Sequence, residues 1–287
     1  GDRSFLDAQV DNDTRASGLT HIFSVSGLHV AFLASAVFFG LRLLKVNKKV
    51  SLIIISALIF VYGIMTGFPP SLVRAGIMLI ILIIAQLSFR RFDPLSALAL
   101  AAIAILIFRP LYIFELGFQM SVTAMLGIFC FYQPLKRFFD RGKGKLSNFV
   151  SSSLAMSLSA NSFLIAIIFN TFTFFGIYFC LGNIIVIPFI GLTYSLLMFI
   201  TLLSLFIPPA AALMIIPRVL ITVVIEVSAF IAALPFASLR VYEMGIFAVI
   251  YVLTMLFMSK FLMVEKQRKL TALMAIIGFS AVLMLVL

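Results

Sequence analysis

Long uninterrupted runs of apolar residues, separated by short polar segments, dominate the chain. The stretch Ile77 to Ala85 contains no polar residue at all. Each run is roughly 16 to 22 residues long, close to the ~20 that a helix needs to cross a ~30 Å hydrocarbon core. The strict alternation of a membrane β-strand is absent. Because every backbone amide in lipid needs an internal partner, the pattern predicts an all-α, polytopic transmembrane helical bundle.

Ten of these runs are predicted to cross the membrane, and together they define a transmembrane domain over residues 21–287. Residues 1–20 are polar and form a predicted outer juxtamembrane segment. The segment 210–234 contains Pro217, Arg218 and Glu226, which favours an interfacial or re-entrant helix. The predicted spans are 21–44, 50–67, 72–89, 94–108, 114–132, 149–169, 172–187, 189–207, 242–259 and 270–287.

The positive charges indicate how these spans are oriented. Only 11% of the residues are charged and 63% are hydrophobic, which excludes a soluble domain. Fifteen of the 21 Lys and Arg residues lie in four patches, at 42–49, 90–91, 136–145 and 260–269. Cytoplasmic loops collect such residues, so the patches account for the net charge of +11 without a nucleic-acid-binding face. All four patches are cytoplasmic if segment 210–234 does not cross, which places both termini outside.

Polar side chains at membrane depth are the default functional candidates, since each is costly to bury. Glu115, Gln119 and Thr123 follow at i, i+4 and i+8 on one span, and Ser157 and Asn161 lie on one face of the next. Asn183 lies in a third stretch, between helix-breaking residues. Such faces line a hydrated path or simply join helices by hydrogen bonds, and the residues alone favour neither.

Arg74 is the most informative single residue, because it enters a span from the outer side, where positive charge is scarce. A guanidinium in that position requires a carboxylate or phosphate partner. Glu115 is a plausible partner within the chain. Snorkelling of the side chain to the outer surface is the alternative.

The first span opens with a group of chemically capable residues, His21, Ser24, Ser26 and His29. Two histidines do not complete a zinc site, and no G-x-S-x-G elbow is present. The small residues that begin at Gly27 instead favour close helix packing. An intramembrane hydrolase built on His21, Ser24 or Ser26 and Glu115 is a further alternative. No phosphate-binding G-x-x-x-x-G-K-[ST] loop occurs, so we expect no ATPase activity. No set of possible ligands has the spacing of a metal site, and we expect neither a metal nor a cofactor.

Several sequence blocks resemble the competence domain of ComEC-type DNA-uptake channels. The stretch HIFSVSGLHV, which contains His21, Ser26, Gly27 and His29, is similar to the family signature H-L-L-A-I-S-G-L-H-V. The stretches PSLVRA, DPL and GFQMS, in this order, and Asn183 with Pro188 and Gly191 are similar to further family elements. The likeness extends over about residues 1–195.

The resemblance implies passage of single-stranded DNA across the bacterial cytoplasmic membrane during natural transformation. It also implies an outer oligonucleotide-binding-type domain before the channel and often a metallo-β-lactamase-like domain after it, with a cytoplasmic DNA-translocating ATPase as a possible partner. The metal-binding H-x-H-x-D-H pattern of such a nuclease domain is absent from this chain. A secondary transporter of a small anion and a membrane anchor for flanking domains are the alternatives.

Overall fold

The computed structural model describes residues 8–19, 27–140, 142, 144–172, 174–240, 245 and 251–256. Helices dominate this part of the chain, in agreement with the all-α prediction. The only regular strands among these residues are β1 (Phe174–Gly176) and β2 (Ser238–Arg240), which pair with each other. The α-helices are α1 (Ala8–Ala16), α2 (Gly27–Leu43), α3 (Lys48–Thr66), α4 (Pro70–Leu87), α5 (Pro94–Phe108), α6 (Leu116–Phe139), α7 (Lys145–Thr171), α8 (Phe179–Phe206) and α9 (Ile215–Ala232), and two 3₁₀-helices are η1 (Pro110–Phe114) and η2 (Pro208–Met214).

The helix boundaries follow from local capping chemistry. Asn47 begins α3 by accepting a hydrogen bond from the Lys49 amide at 2.9 Å. Gly67, at φ 74°, ends the same helix in the left-handed conformation that glycine adopts without a steric penalty. Asp93 begins α5 by accepting from the Ser96 amide at 3.0 Å, and Pro94 occupies the first helical position.

The length and hydropathy of the helices identify a multi-pass membrane protein. Six helical segments of the described chain are long and apolar enough to cross a bilayer: Lys48–Thr66, Pro70–Leu87, Leu116–Phe139, Lys145–Thr171, Phe179–Thr201 and Pro208–Ala232. The apolar helices α2 and α5 are shorter. The predicted spans 242–259 and 270–287 lie mostly or wholly outside the described residues.

One helix assignment made from the sequence is wrong. Instead of two spans, 172–187 and 189–207, a single helix, α8, begins at Phe179 after the strand β1 and continues through Gly182, Pro188 and Gly191 to Phe206. Proline removes one intrahelical hydrogen bond, but packed neighbours in a membrane bundle allow the helix to continue. Val186 and Ile190, on either side of Pro188, are both 1% exposed, so one face of this part of α8 packs against other parts of the protein, while Pro188 itself is exposed.

The segment 210–234 is also more regular than expected. It forms η2 and α9, and Pro217 lies within the first turn of α9, where a missing amide donor does not interrupt the helix. The segment Pro208–Ala232 is long enough to cross the membrane. One crossing by α8 and one by η2 and α9 would leave the orientation of every basic patch unchanged, because the total number of crossings is the same.

The chain divides into two compact units. The first comprises residues 1–121 and 176–238, and the second comprises residues 122–175 and 239–287. Two apolar clusters hold the first unit together. One joins Leu19 to α8 and α9, and the other joins α2, α3 and α4 around Val30, Ile55 and Leu72. In the second unit, α6 and α7 pack closely at Gly127, which faces the backbone of Ser159.

Candidate functional site

Arg74 lies in the first unit, where the beginnings of α2 and α4 meet. Only 6% of the residue is exposed. Its Nη2 atom lies 3.1 Å from the point that a β-carbon on Gly27 would occupy, so the guanidinium packs against the start of α2. The Nε atom is buried and has no hydrogen-bond partner within the described part of the chain. A buried charge left uncompensated in this way costs several kcal/mol.

Neither the ion pair with Glu115 nor the snorkelling that the sequence suggested for Arg74 is found. Arg74 and Glu115 form no ion pair. Glu115 is exposed and begins α6, where its backbone carbonyl accepts from the amides of Phe118 and Gln119. Snorkelling is also excluded by the burial of Arg74. The side chain turns toward α2 because Gly27, which lacks a β-carbon, leaves room for it.

His29 occupies a different face of α2 and contacts α8. Its ring lies edge-on to the ring of Tyr194, with centroids 4.2 Å apart, and His29 is only 3% exposed. Close helix approach at Gly191, which faces Phe32 of α2, brings these rings together. Tyr194 is a polar aromatic residue at membrane depth that the sequence analysis missed. An isolated Tyr in an apolar run was the available signal, but its partner is distant in sequence.

Asn183 is buried near the beginning of α8, at 7% exposure. It lies about three helical turns before Tyr194 on the same face of α8, because the steps from Asn183 to Val186, Ile190 and Tyr194 each equal about one helical turn. The adjacent Gly182 packs against Leu19. The predicted helix interruption here is absent, so Asn183 presents a side-chain amide within a continuous helix rather than opened backbone.

The polar residues Glu115, Gln119 and Thr123 do not all face the interior, and one of them forms a hydrogen bond near the start of its own helix. The Gln119 Nε2 group donates to the carbonyl of Ile113 at 2.8 Å, which ties η1 to the first turn of α6. Thr123 follows on the same face in the second unit, partly buried. The side chain at position 115 is exposed, so only the later part of this stripe points into the protein.

The stripe of α7 lies within the second unit. Ser157 is 5% exposed, and the Asn161 amide donates to the Ser157 carbonyl at 3.0 Å. Ser159, on the neighbouring face, is fully buried and donates to the Met156 carbonyl. Such bonds to the preceding turn satisfy hydroxyl and amide groups inside a membrane helix.

The other half of the signature motif, His21 and Ser26, lies outside the described residues. Within the described ranges, no three His, Cys, Asp or Glu side chains are arranged to hold a metal ion. A shallow groove of about 380 Å³ lies between the end of α6 and the start of α7, in the second unit. Its lining is mostly apolar and contains none of the predicted path residues: Phe139, Leu146, Ser147, Val150, Ser151 and Leu154.

Comparison with known proteins identifies the family. A family model described as "Competence protein" matches residues 1–268, nearly the whole chain. The chain belongs to this competence protein family. The match includes Gly27 and Arg74, which the fold brings into contact. The family assignment confirms the resemblance that the motifs indicated.

Two curated relatives share part of this competence protein. "ComE operon protein 3" of Bacillus subtilis (strain 168) is 29% identical over 128 residues, which cover 45% of this chain and 16% of that protein. An "Uncharacterized protein" of Aquifex aeolicus (strain VF5) is 30% identical over 123 residues, which cover 43% of this chain and 29% of that protein. The matched region is thus a minor part of each relative. No solved structure matches the competence chain.

Proposed function

We propose that this chain is the membrane channel of a DNA-uptake system and passes single-stranded DNA across the bacterial cytoplasmic membrane. Membership of the competence protein family supports a role in DNA uptake. The observation that carries the proposal is Arg74, a buried cation in a membrane helix that has no anionic partner among the described residues. A polyanion supplies the missing negative charge.

The remaining polar residues have proposed roles along the path. Gln119, Thr123, Ser157, Asn161 and Asn183 offer uncharged donors and acceptors that hydrate a moving backbone without holding it. Glu115 lies at an exposed helix start, where its negative charge would repel phosphates and so favour their binding at Arg74. His21, Ser26, Gly27 and His29 shape the entrance. A single strong cation with weakly polar neighbours suits transit, because transit requires each contact to be released.

The proposed topology has ten crossings with both termini outside. It assigns one crossing to each of α2 to α8, one to η2 with α9, and two to residues 242–259 and 270–287. This count keeps the basic patches at 42–49, 90–91, 136–145 and 260–269 on the cytoplasmic side. Segment 1–20, which contains α1, would then lie at the outer surface.

The chain is proposed to act as a passive conduit and not as an enzyme. Transport would be driven by a cytoplasmic DNA-translocating ATPase. In a longer protein, an oligonucleotide-binding-type domain and a metallo-β-lactamase-like domain would meet the DNA outside. The alternative is a secondary transporter of a small anion. The occlusion of Arg74 favours it, because one enclosed cation suits one small ligand.

Reconstitution tests the proposal directly. Vesicles that contain the chain should take up a fluorescent single-stranded oligonucleotide when a potential, positive inside, is imposed. Protein-free vesicles and double-stranded DNA of the same length serve as controls. Counterflow of a small anion without oligonucleotide uptake would favour the transporter. Absence of both, in vesicles where the chain is inserted, would favour the anchor role.

A further inference from the structure

Arg74 differs from the other cations of the described chain in how its charge is balanced. Arg15 pairs with Asp11 at 2.7 Å, and Arg109 donates to the Tyr112 hydroxyl at 2.9 Å while it is exposed to its surroundings. Arg74 is only 6% exposed, and among the described residues its Nε atom has no hydrogen-bond partner and its guanidinium forms no ion pair. A lysine in this position would lose its proton on burial, but a guanidinium stays protonated. The electrostatic penalty therefore persists until an anion arrives.

From this geometry we infer that Arg74 forms an occluded phosphodiester-binding site, closed by the contact between the first turns of α2 and α4. The guanidinium is planar and offers paired N–H donors that match two phosphate oxygens. Its Nε atom is buried without a hydrogen-bond partner among the residues that the structure describes, so one of these donors is available for a ligand. The ligand class is the backbone of single-stranded DNA, and this part of the inference rests on the proposed function.

Gly27 is the second component of the site. A β-carbon there would lie 3.1 Å from Arg74 Nη2 and 3.5 Å from the β-carbon of Ala75, so α2 covers the guanidinium from one side. A phosphate gains access when these two turns separate. The arrangement described here is the shut form, and DNA binding and opening are coupled because only the open form exposes the charge.

Salt dependence of binding tests the phosphate contact. A deoxythymidine oligonucleotide of about ten nucleotides, within the usual site size for single strands, is titrated onto the detergent-purified chain at several salt concentrations. Each phosphate contact contributes about 0.7 to the slope of log affinity against log salt. Arg74→Gln should lower the slope by about that amount and weaken binding at least about tenfold. Arg74→Lys should lower the slope as Arg74→Gln does, because a lysine buried in this position loses its proton and no longer neutralises a phosphate.

Arg109→Gln is the matched control, since it removes an exposed cation from the same unit. It should leave the occluded contact intact. Equal slopes and affinities for the wild-type chain and Arg74→Gln would overturn the site while leaving the proposed function in place. Inorganic phosphate provides the converse arm, in which it should raise the melting temperature of the wild-type chain but not of Arg74→Gln. Stabilisation by phosphate, with no oligonucleotide bound, would retain an anion site and reject the DNA function.

A reversible cross-link tests the occlusion. Gly27→Cys with Ala75→Cys, in a chain carrying Cys130→Ala and Cys180→Ala, places two β-carbons about 3.5 Å apart, within the range for a disulfide. Arg74 itself is unchanged. The reduced double variant is the reference, because a side chain at position 27 lies 3.1 Å from Arg74 Nη2 and changes the site by itself. Oxidation should abolish the oligonucleotide binding that this reduced variant retains, and dithiothreitol should return binding to the level of the reduced variant. Binding that survives complete cross-linking would show that the turns need not separate, and would overturn the occluded site.

Discussion

Gly127 of α6 lies directly against the backbone of α7, so that a β-carbon at this position would overlap the carbonyl oxygen of Ser159. The obstacle is main chain, which cannot move aside as the end of a flexible side chain can. Close approach of two membrane helices at a small residue replaces the hydrophobic driving force that operates in water, because lipid is as apolar as the helices themselves. The α6–α7 pair therefore depends on this glycine.

Gly127→Ala should destabilise the chain by about 1–3 kcal/mol, since α6 and α7 must separate to admit the methyl group. The measurement is the thermal unfolding midpoint of the detergent-purified protein. Gly117→Ala is the control in the same helix, because a β-carbon there meets nothing within 4 Å. That substitution should be neutral or slightly stabilising. Equal effects of the two alanines would show that α6 and α7 are less tightly packed than described.

A second close approach predicts coupling between α2 and α8. A β-carbon on Gly191 would lie 2.5 Å from the ring of Phe32. Gly191→Ala should therefore destabilise the protein, and Phe32→Leu in the same chain should recover part of the loss by removing the ring. A double-mutant cycle on unfolding midpoints should give a coupling of about 0.5–3 kcal/mol. Additive effects would place the two residues out of contact.

The pH dependence of stability should show the cap of α5. The Ser96 hydroxyl and amide donate to Asp93, which lowers the pKa of this carboxyl below its ordinary value of 3.8. A carboxyl whose pKa is lower in the folded state contributes stability above its unfolded pKa and loses it as pH falls through the folded pKa. Melting temperature should thus fall more steeply below about pH 4 in the wild-type chain than in Asp93→Asn.

Asp93→Asn keeps an acceptor at the cap but does not titrate. Asp140 lies at the end of α6, and its side chain accepts no such bond from the described residues, so Asp140→Asn is a suitable comparison. The acid-dependent loss should persist in Asp140→Asn. If Asp93→Asn and the wild-type chain lose stability in parallel, the cap does not contribute to the acid response.

Accessibility of single cysteines should decide how α8 and α9 cross. With α8 as one crossing, Ile207→Cys is reached by a membrane-impermeant thiol reagent from the cytoplasmic side, together with Lys48→Cys. Leu111→Cys and Phe236→Cys, both at exposed positions, should react from the outer side. Reaction of Ile207→Cys together with the outer pair would restore two crossings within residues 172–207 and return segment 210–234 to the outer surface.

Much of the helix arrangement could be predicted from hydropathy and charge alone. The predicted spans 50–67, 72–89 and 94–108 match α3, α4 and α5 within a few residues, because Asn47, Gly67 and Asp93 are local signals for helix ends. The failure at 172–207 has the same origin. Gly182, Pro188 and Gly191 are breaking signals in sequence, but burial of Val186 and Ile190 keeps the helix continuous.

The sequence was enough to identify Arg74 as a candidate but not to identify the residues that surround it. A cation at the outer end of an apolar run singled out Arg74, since composition alone makes such a residue unusual. Its true neighbour, Gly27, is 47 positions away, and no periodicity relates the two. The contact between His29 and Tyr194 is longer in range still. Tertiary packing selects such pairs, so sequence reasoning chose Glu115 instead.

Pro188 has no amide hydrogen to offer the carbonyl of Ile184, one turn earlier in α8. Hydrocarbon cannot solvate an oxygen left in that condition, whereas surrounding helices can screen it. Ile184 is partly buried, whereas Pro188 is exposed together with Ile185 and Phe189, so the missing bond lies at the border between the packed face of α8 and its exposed face. A replacement of Pro188 by a residue with an amide hydrogen would restore the missing bond, and the helix would stiffen beside the buried residues Val186 and Ile190.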